Sequence, residues 1–279
     1  MPIHIRPFQA SDLLARERIF KDAFSAGLRP HIYPNGTTDA DLIHNFGENI
    51  KGLATKMSAS DTQAGQRFFV AYDTETSAPT SDLEFPETWD KKNEVELKGK
   101  DREEAKRIVG IAFWQLQPSP RTQEEIDKEA AEGQSHAHAP SANGPLLDAF
   151  GKALTAGREK WIGLDAYLYL KVLAIDPKYQ RRGVGSLLLD EGLAVANRVG
   201  IKAYLEATEA GRPLYQRKGF VDRELVDFDV ARYAPAAKGE RHGFMCMVRP
   251  APEGGKKAQG SAEEGEGHGG NEAVVEKGE

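Results

Sequence analysis

The run Leu173-Ala174-Ile175-Asp176-Pro177-Lys178-Tyr179-Gln180-Arg181-Arg182-Gly183-Val184-Gly185-Ser186 decides how this chain folds. Ala166 to Ile175 is apolar and reads as a long strand, which stops at Asp176-Pro177 because proline brings no N–H to a sheet ladder. A loop rich in cations and glycine follows. Gly183 to Arg198 then places Leu187, Leu188, Leu189, Leu193 and Val195 on the packing side of a helix, which Gly200 closes. The first N–H groups of a helix have no partner within it. Here Gly183 and Gly185 keep side chains out of the approach to them, so the main chain can meet a negative ligand. Arg181 and Arg182 supply charge suited to phosphate. The helix dipole adds about 0.3–1 kcal/mol for an anion at that end.

Known phosphate loops give a comparison. A dinucleotide fingerprint needs a small residue at position 188, where this chain has Leu188; a P-loop needs Gly-Lys-Ser/Thr at the helix start, which is absent. The plainer alternative is a strand–turn–helix whose glycines only make the turn.

Working outward, Ile3 to Arg6 reads as a first strand, Ser11-Asp12 offers an N-cap, and Leu13 to Phe24 has helical spacing. Leu42, Phe46, Ile50, Leu53 and Met57 suggest one amphipathic helix, and Phe68 to Tyr72 and Ile108 to Leu116 read as strands. Two polar stretches, about Thr74 to Arg107 and Gln117 to Lys160, read as insertions into one domain, because neither half of the chain has enough strands to close a core alone. The second holds an acidic helix around Thr122 to Glu132. Ala203 to Ala207 is a strand, Pro213 to Lys218 a short helix with Gly219 just past it, and Val221 to Phe228 and Phe244 to Val248 are the last strands. The domain is expected to span residues 1–249. The tail from Pro250 to Glu279 has no periodicity and is expected to be disordered.

Gln180-x-x-Gly183-x-Gly185 after a strand ending in Asp-Pro resembles the acetyl-CoA pyrophosphate loop of the GNAT N-acetyltransferase superfamily. A second stretch, Gly211-Arg212-Pro213-Leu214-Tyr215-Gln216-Arg217-Lys218-Gly219-Phe220, is similar to that family's last helix and the start of its sixth strand. The two motifs stand in the expected order, and close resemblance covers about residues 166 to 228. It implies an α+β GNAT fold, with a mixed central sheet of about six or seven strands, splayed in the middle and flanked by helices. It also implies acetyl transfer from acetyl-CoA to a primary amine of a small molecule or peptide, by direct attack in a ternary complex, and a homodimer, which is common in the family.

The resemblance further assigns residues. Gln180, Arg181, Arg182, Gly183, Val184, Gly185 and Ser186 would hold the pyrophosphate; Leu173, Ala174 and Ile175 would pair with the pantetheine arm as an added strand. Tyr215 would act as general acid toward the leaving thiolate, or pack as a core tyrosine beside Phe220. Some relatives carry a glutamate on the strand before the loop; Tyr169 stands at that position. Glu206, near the end of the next strand, is the first substitute for the base, directly or through a water, and is otherwise an edge carboxylate. Asp165 is a weaker one. Loss of the glutamate leaves open a second class of function, a non-catalytic acyl-CoA-binding regulatory module.

The bulk composition narrows the classes. The 279 residues are 39% hydrophobic and 29% charged, with a formal net charge of −6. That sign argues against nucleic acid and anionic membranes as partners. The single cysteine, Cys246, admits no disulfide within the chain, and no apolar run has the length of a signal peptide or a membrane span. A cytoplasmic or nuclear location is therefore expected. His136-Ala137-His138 beside Glu129 and Glu132 has the look of a metal pair, but reads better as solvated surface, so no metal is expected. Asp12, His31 and His44 have no partner legible in the sequence. Arg241 and His242 flank the last strand, as hairpin residues or as substrate contacts.

Overall fold

A computed structural model describes residues 2–9, 12–41, 44–45, 60–61, 63–75, 107–133, 137–240 and 242–253. Its strands are β1 (Ile3–Pro7), β2 (Gly65–Asp73), β3 (Ile108–Gln117), β4 (Tyr167–Ile175), β5 (Lys202–Ala207), β6 (Val221–Phe228) and β7 (His242–Arg249). The helices are α1 (Leu13–Ala23), α2 (Arg29–Ile32), α3 (Gln123–Gly133), α4 (Gly144–Ile162), α5 (Val184–Val199) and α6 (Arg212–Arg217). All seven strands form one sheet, in the order β1-β2-β3-β4-β5-β7-β6. Only the central β4–β5 pair is parallel. The fold is α+β, with a mixed sheet between helical layers.

Strand alternation sends neighbouring side chains to opposite faces. On one face, α5 buries Val184, Leu188, Leu189 and Leu193 against Trp114, Leu168, Leu170 and Leu205. Each such leucine contributes about 1.5–3 kcal/mol. The helix lies so close that a Cβ on Gly192 would sit 2.2 Å from the Trp114 indole. Gly200, at φ 76°, ends it with its N–H on the Ala196 carbonyl. The opposite face carries α1, which packs Leu13 and Ile19 on Val70, Ile111 and Phe113, and α4, which packs Leu146 and Ile162 with Tyr167, Tyr204 and Cys246.

The long helix α4 falls almost wholly within the polar stretch from Gln117 to Lys160, where the sequence pattern shows only the acidic helix. Its interior Gly151 and Gly157 lower helix propensity and hide its pattern. Its start is nonetheless well marked: the Asn143 side chain accepts from the Leu146 N–H and Pro145 stands in the first turn. Gly157 is required by packing, since a Cβ there would lie 2.9 Å from both Cys246 Sγ and the Tyr204 hydroxyl. The acidic helix itself is α3, opened by a reciprocal box in which Glu125 N–H donates to Thr122 Oγ1 and Thr122 N–H to the Glu125 carboxylate.

Asp12 takes the expected N-cap position of α1, and Ser11 lies outside the described residues. Asp12 precedes α1 without a capping bond. Its carboxylate instead takes both Arg6 amines, at 2.6 and 2.8 Å, and the Gln9 N–H. A charged fork outcompetes a single helix N–H for the same oxygens. The expected amphipathic helix through Leu42, Phe46, Ile50, Leu53 and Met57 lies almost wholly outside the described residues, as do most of the first insertion and most of the tail. No described helix is long and apolar enough to cross a membrane.

Candidate active site

The parallel ladder between β4 and β5 runs only from Tyr167↔Lys202 to Leu170↔Leu205. Beyond it the two strands part. A bulge on β4 falls at the same place: Trp114 pairs with Leu170 and Phe113 with Val172, so the register skips Lys171. The bulge resets the pleat, so Leu173 packs toward α5 while Val172 and Ala174 turn toward α1. β4 stays bonded to β3 as far as Ile175, but no described strand covers its other edge past Leu170.

Lys171 and Glu206, the first residues beyond the joined segment, both line a cavity of about 970 Å³. Its walls carry many aromatic rings, among them Phe20, Phe68, Phe113, Phe150 and Phe244. Phe68 and Phe113 meet edge to face at 4.5 Å, and the Arg16 guanidinium covers Phe20 at 4.4 Å.

Glu206 is strongly perturbed by this setting. Burial pushes its carboxyl up to about 7, while the phenols of Tyr169 and Tyr204 and the Arg158 guanidinium pull it back only in part. Its Oε1 is buried with no hydrogen-bond partner among the described residues. Burial first, and then the neighbouring carboxylate, hold both phenols well above their ordinary range, so they remain proton donors. The two tyrosines face each other across the ladder with rings 5.7 Å apart, and Arg158, from α4, lies 5.3 Å over the Tyr169 ring. Tyr204 also donates to Cys246 Sγ at 3.3 Å. The sequence singles out Glu206 but not Tyr204, Arg158 or Lys171, whose positions depend on the strand register and on α4.

The loop after β4 is tied back by side-chain bonds. The Asp176 side chain accepts from the Lys178 N–H at 2.9 Å, and Gln180 Nε2 reaches back to the Ile175 carbonyl at 3.2 Å. Arg181 and Gly183 both have positive φ, 61° and 86°, and Arg182 lies 5.3 Å over the Tyr179 ring. The space a Cβ on Gly183 would enter is open, whereas a Cβ on Gly185 would come within 3.2 Å of Leu214. Gly183 supplies left-handed backbone beside open space, and Gly185 admits α6 against the first turn of α5.

Residues 149–222 match the family model of the acetyltransferase (GNAT) domain. By that match this segment is a GNAT acetyltransferase domain. The match begins within α4, reaches the start of β6 and includes the loop and both strands of the split. A mycothiol acetyltransferase of Propionibacterium freudenreichii is 40% identical over 78 residues, 26% of this chain and 24% of that protein. A probable acyltransferase, SID5, of Ajellomyces capsulatus is 44% identical over 41 residues, 15% of this chain and 30% of that protein. The chain thus spans less than a third of the length of either curated relative. Among solved structures, a Drosophila melanogaster polyamine N-acetyltransferase has 14% identity and a TM-score of 0.48, covering 89% of this chain and 100% of that one.

Within the GNAT domain, Tyr215 lies on α6 and is 9% exposed, with its ring 6.1 Å from Phe220. Burial raises its phenol above the ordinary range. Its neighbour Leu214 abuts Gly185, so α6 stands beside the start of α5. Tyr215 is not among the residues lining the large cavity, which Glu206 is. Asp165 is the weaker base candidate. It pairs with Lys202 at the joined end of β4 and β5, away from the split. His138 pairs with Asp148 at 2.8 Å, and His136 lies outside the described residues. His44 meets the Ala137 carbonyl at 2.9 Å. His31 and His242 converge on Glu240, a grouping that no sequence spacing reveals.

Proposed function

We propose that this GNAT domain, read as residues 1–249, transfers an acetyl group from acetyl-CoA to a primary amine carried on a largely apolar body. The observation that carries the reading is Glu206, a carboxyl held near neutrality where β4 and β5 part. An acceptor amine is an ammonium at neutral pH and has no lone pair for attack until it loses a proton. A base with a pKa near the working pH suits that task.

Acetyl-CoA supplies the activated acyl group as its thioester. The features that fit it are the uncovered edge of β4, where Leu173, Ala174 and Ile175 offer main-chain pairing, and the helix start after Gly183. There the amides of Val184, Gly185 and Ser186 would meet the pyrophosphate, with Arg181 and Arg182 alongside. Glu206 takes the amine's proton, directly or through a water, as the N–C bond forms and the C–S bond breaks. Tyr215 donates a hydrogen bond toward the sulfur. A phenol raised by burial is a weaker acid than a thiol of ordinary pKa near 8.5, so Tyr215 supports the departing charge rather than surrendering its proton. The aromatic walls favour an amine with an aromatic or long apolar body over a polycation.

Purified full-length protein incubated with acetyl-CoA and a panel of amines, with free thiol followed, tests this. Acceptor-dependent thiol release, fastest with arylalkyl amines and lost in Glu206→Gln, is expected. Coenzyme binding without release across the panel would overturn it in favour of a non-catalytic binding module.

A further inference from the structure

His31, Glu240 and His242 present three ligand atoms that all lie within 4.8 Å of one another. His31 Nε2 is 2.9 Å, and His242 Nε2 3.2 Å, from the same oxygen, Glu240 Oε2. The imidazoles come from distant parts of the chain, α2 and the first residue of β7, and meet with ring centroids 5.6 Å apart. Each arm has main-chain bonds of its own. Asn143 N–H donates to the Ile32 carbonyl at 2.8 Å and His31 N–H to the Leu28 carbonyl at 3.0 Å, while Glu240 N–H donates to the Ala237 carbonyl at 2.9 Å. Both histidine side chains are mostly enclosed, at 12% and 17% exposure, and the carboxylate faces solvent at 51%.

We propose that His31 Nε2, Glu240 Oε2 and His242 Nε2 bind a divalent transition-metal ion, zinc being the one their chemistry suits best. Two imidazoles with one carboxylate make a set that suits zinc, and the imidazole majority disfavours magnesium and calcium, which take oxygen ligands. Bonds of about 2.0–2.2 Å in a tetrahedron hold ligand atoms about 3.3–3.6 Å apart. The 2.9 and 3.2 Å separations need to open by only a few tenths of an ångström. Three protein ligands leave a fourth position for water or a substrate atom.

The site would sit on the rim of the large cavity. His242, Gly243 and Phe244 line one side of that cavity, and Ile32 and Tyr33, which follow His31, line it as well. An ion there ties the α2 limb to the strand running into β7 and restricts how far the rim opens. The site stands independently of the acetyl-transfer reading, because its ligands are neither Glu206 nor any residue of the loop at Gly183.

The test is a titration of chelator-treated full-length protein with zinc chloride by calorimetry, with bound metal measured after desalting, and a parallel titration with cobalt(II) followed in the visible. One zinc per chain, no competition from a large excess of magnesium, and a cobalt d–d spectrum are expected. Glu240→Gln, a change at an exposed side chain, and His242→Ala should each weaken zinc at least about tenfold. His138→Ala should leave it unchanged, and far-UV circular dichroism checks that every variant is folded. The proposal is overturned if the parent retains no zinc, or if folded Glu240→Gln and His242→Ala bind it as the parent does.

Discussion

Arg18 on α1 donates to the buried carboxylate of Asp176, at the end of β4, across 2.7 Å and 158 positions of sequence. The same guanidinium also bonds the Ile108 carbonyl at the start of β3. Asp176 in turn receives the Lys178 N–H, so one carboxylate joins the first helix to the loop that precedes α5. Removing one partner of a buried pair strands the other charge and costs about 3–5 kcal/mol. Asp176→Asn should lower unfolding free energy by that order in denaturant titrations and weaken coenzyme affinity by more than tenfold. An unchanged midpoint would show that the pair does not hold the loop.

Gly183 has φ 86° beside open space, so a side chain there strains the backbone without clashing elsewhere. Gly183→Val should bind CoA at least about tenfold more weakly, with a stability loss of about 1–2 kcal/mol. Gly185→Val would instead collide with Leu214. Calorimetry with CoA, alongside thermal melts, separates the two effects. A folded Gly183→Val with parental affinity would remove the main-chain amides from coenzyme binding.

Glu206 gives a pH dependence with a definite sign. Its folded pKa, about 7, lies above the ordinary value of 4.5, so the native state holds the proton over that interval more tightly than the unfolded chain. Stability from this group is greatest below about pH 4.5, falls as pH rises to 7, and is level above that. Glu206→Gln should therefore be more stable than the parent at pH 8, by about 3 kcal/mol, and equal to it near pH 4. Activity has the opposite trend. It should be present above pH 7 and fall as the base is protonated below it, and Glu206→Gln should lose about 10²–10⁴ in kcat. A parental pH–rate profile in the variant would exclude Glu206 as the base.

Tyr215→Phe removes one hydroxyl from a buried ring that packs on Phe220. Because a thiolate leaves readily without help, the expected loss in kcat is at or below about 10², with little change in coenzyme affinity or melting temperature. Poorer thioester substrates should suffer more. If kcat holds and only stability changes, the residue is a core tyrosine.

Trp114 and Gly192 leave no room for a methyl group between β3 and α5. Gly192→Ala gains helix propensity of about 1 kcal/mol and yet should destabilise the fold by about 1–3 kcal/mol or more through overpacking. Trp114→Phe in the same chain should recover part of it. Additive losses in the double variant would refute the contact.

Local order alone made much of this protein legible. The strand ending at Asp176-Pro177, the glycine-bounded helix α5 and the short helix before Gly219 are written in residues whose backbone preferences act over a few positions, and Gly183, Gly200 and Gly219 do take positive φ. Other features came only with the tertiary structure. Helix α4 was hidden because Gly157 serves contact with Tyr204 and Cys246 rather than helix propensity. The bulge at Lys171 and the parting of β4 from β5 depend on register between strands, and Glu206 acquires its near-neutral pKa from burial that no linear pattern records. His31 meets Glu240 and His242 for the same reason. Periodicity and turn chemistry are encoded in short windows, whereas burial and charge at a point depend on which distant segments the fold brings there.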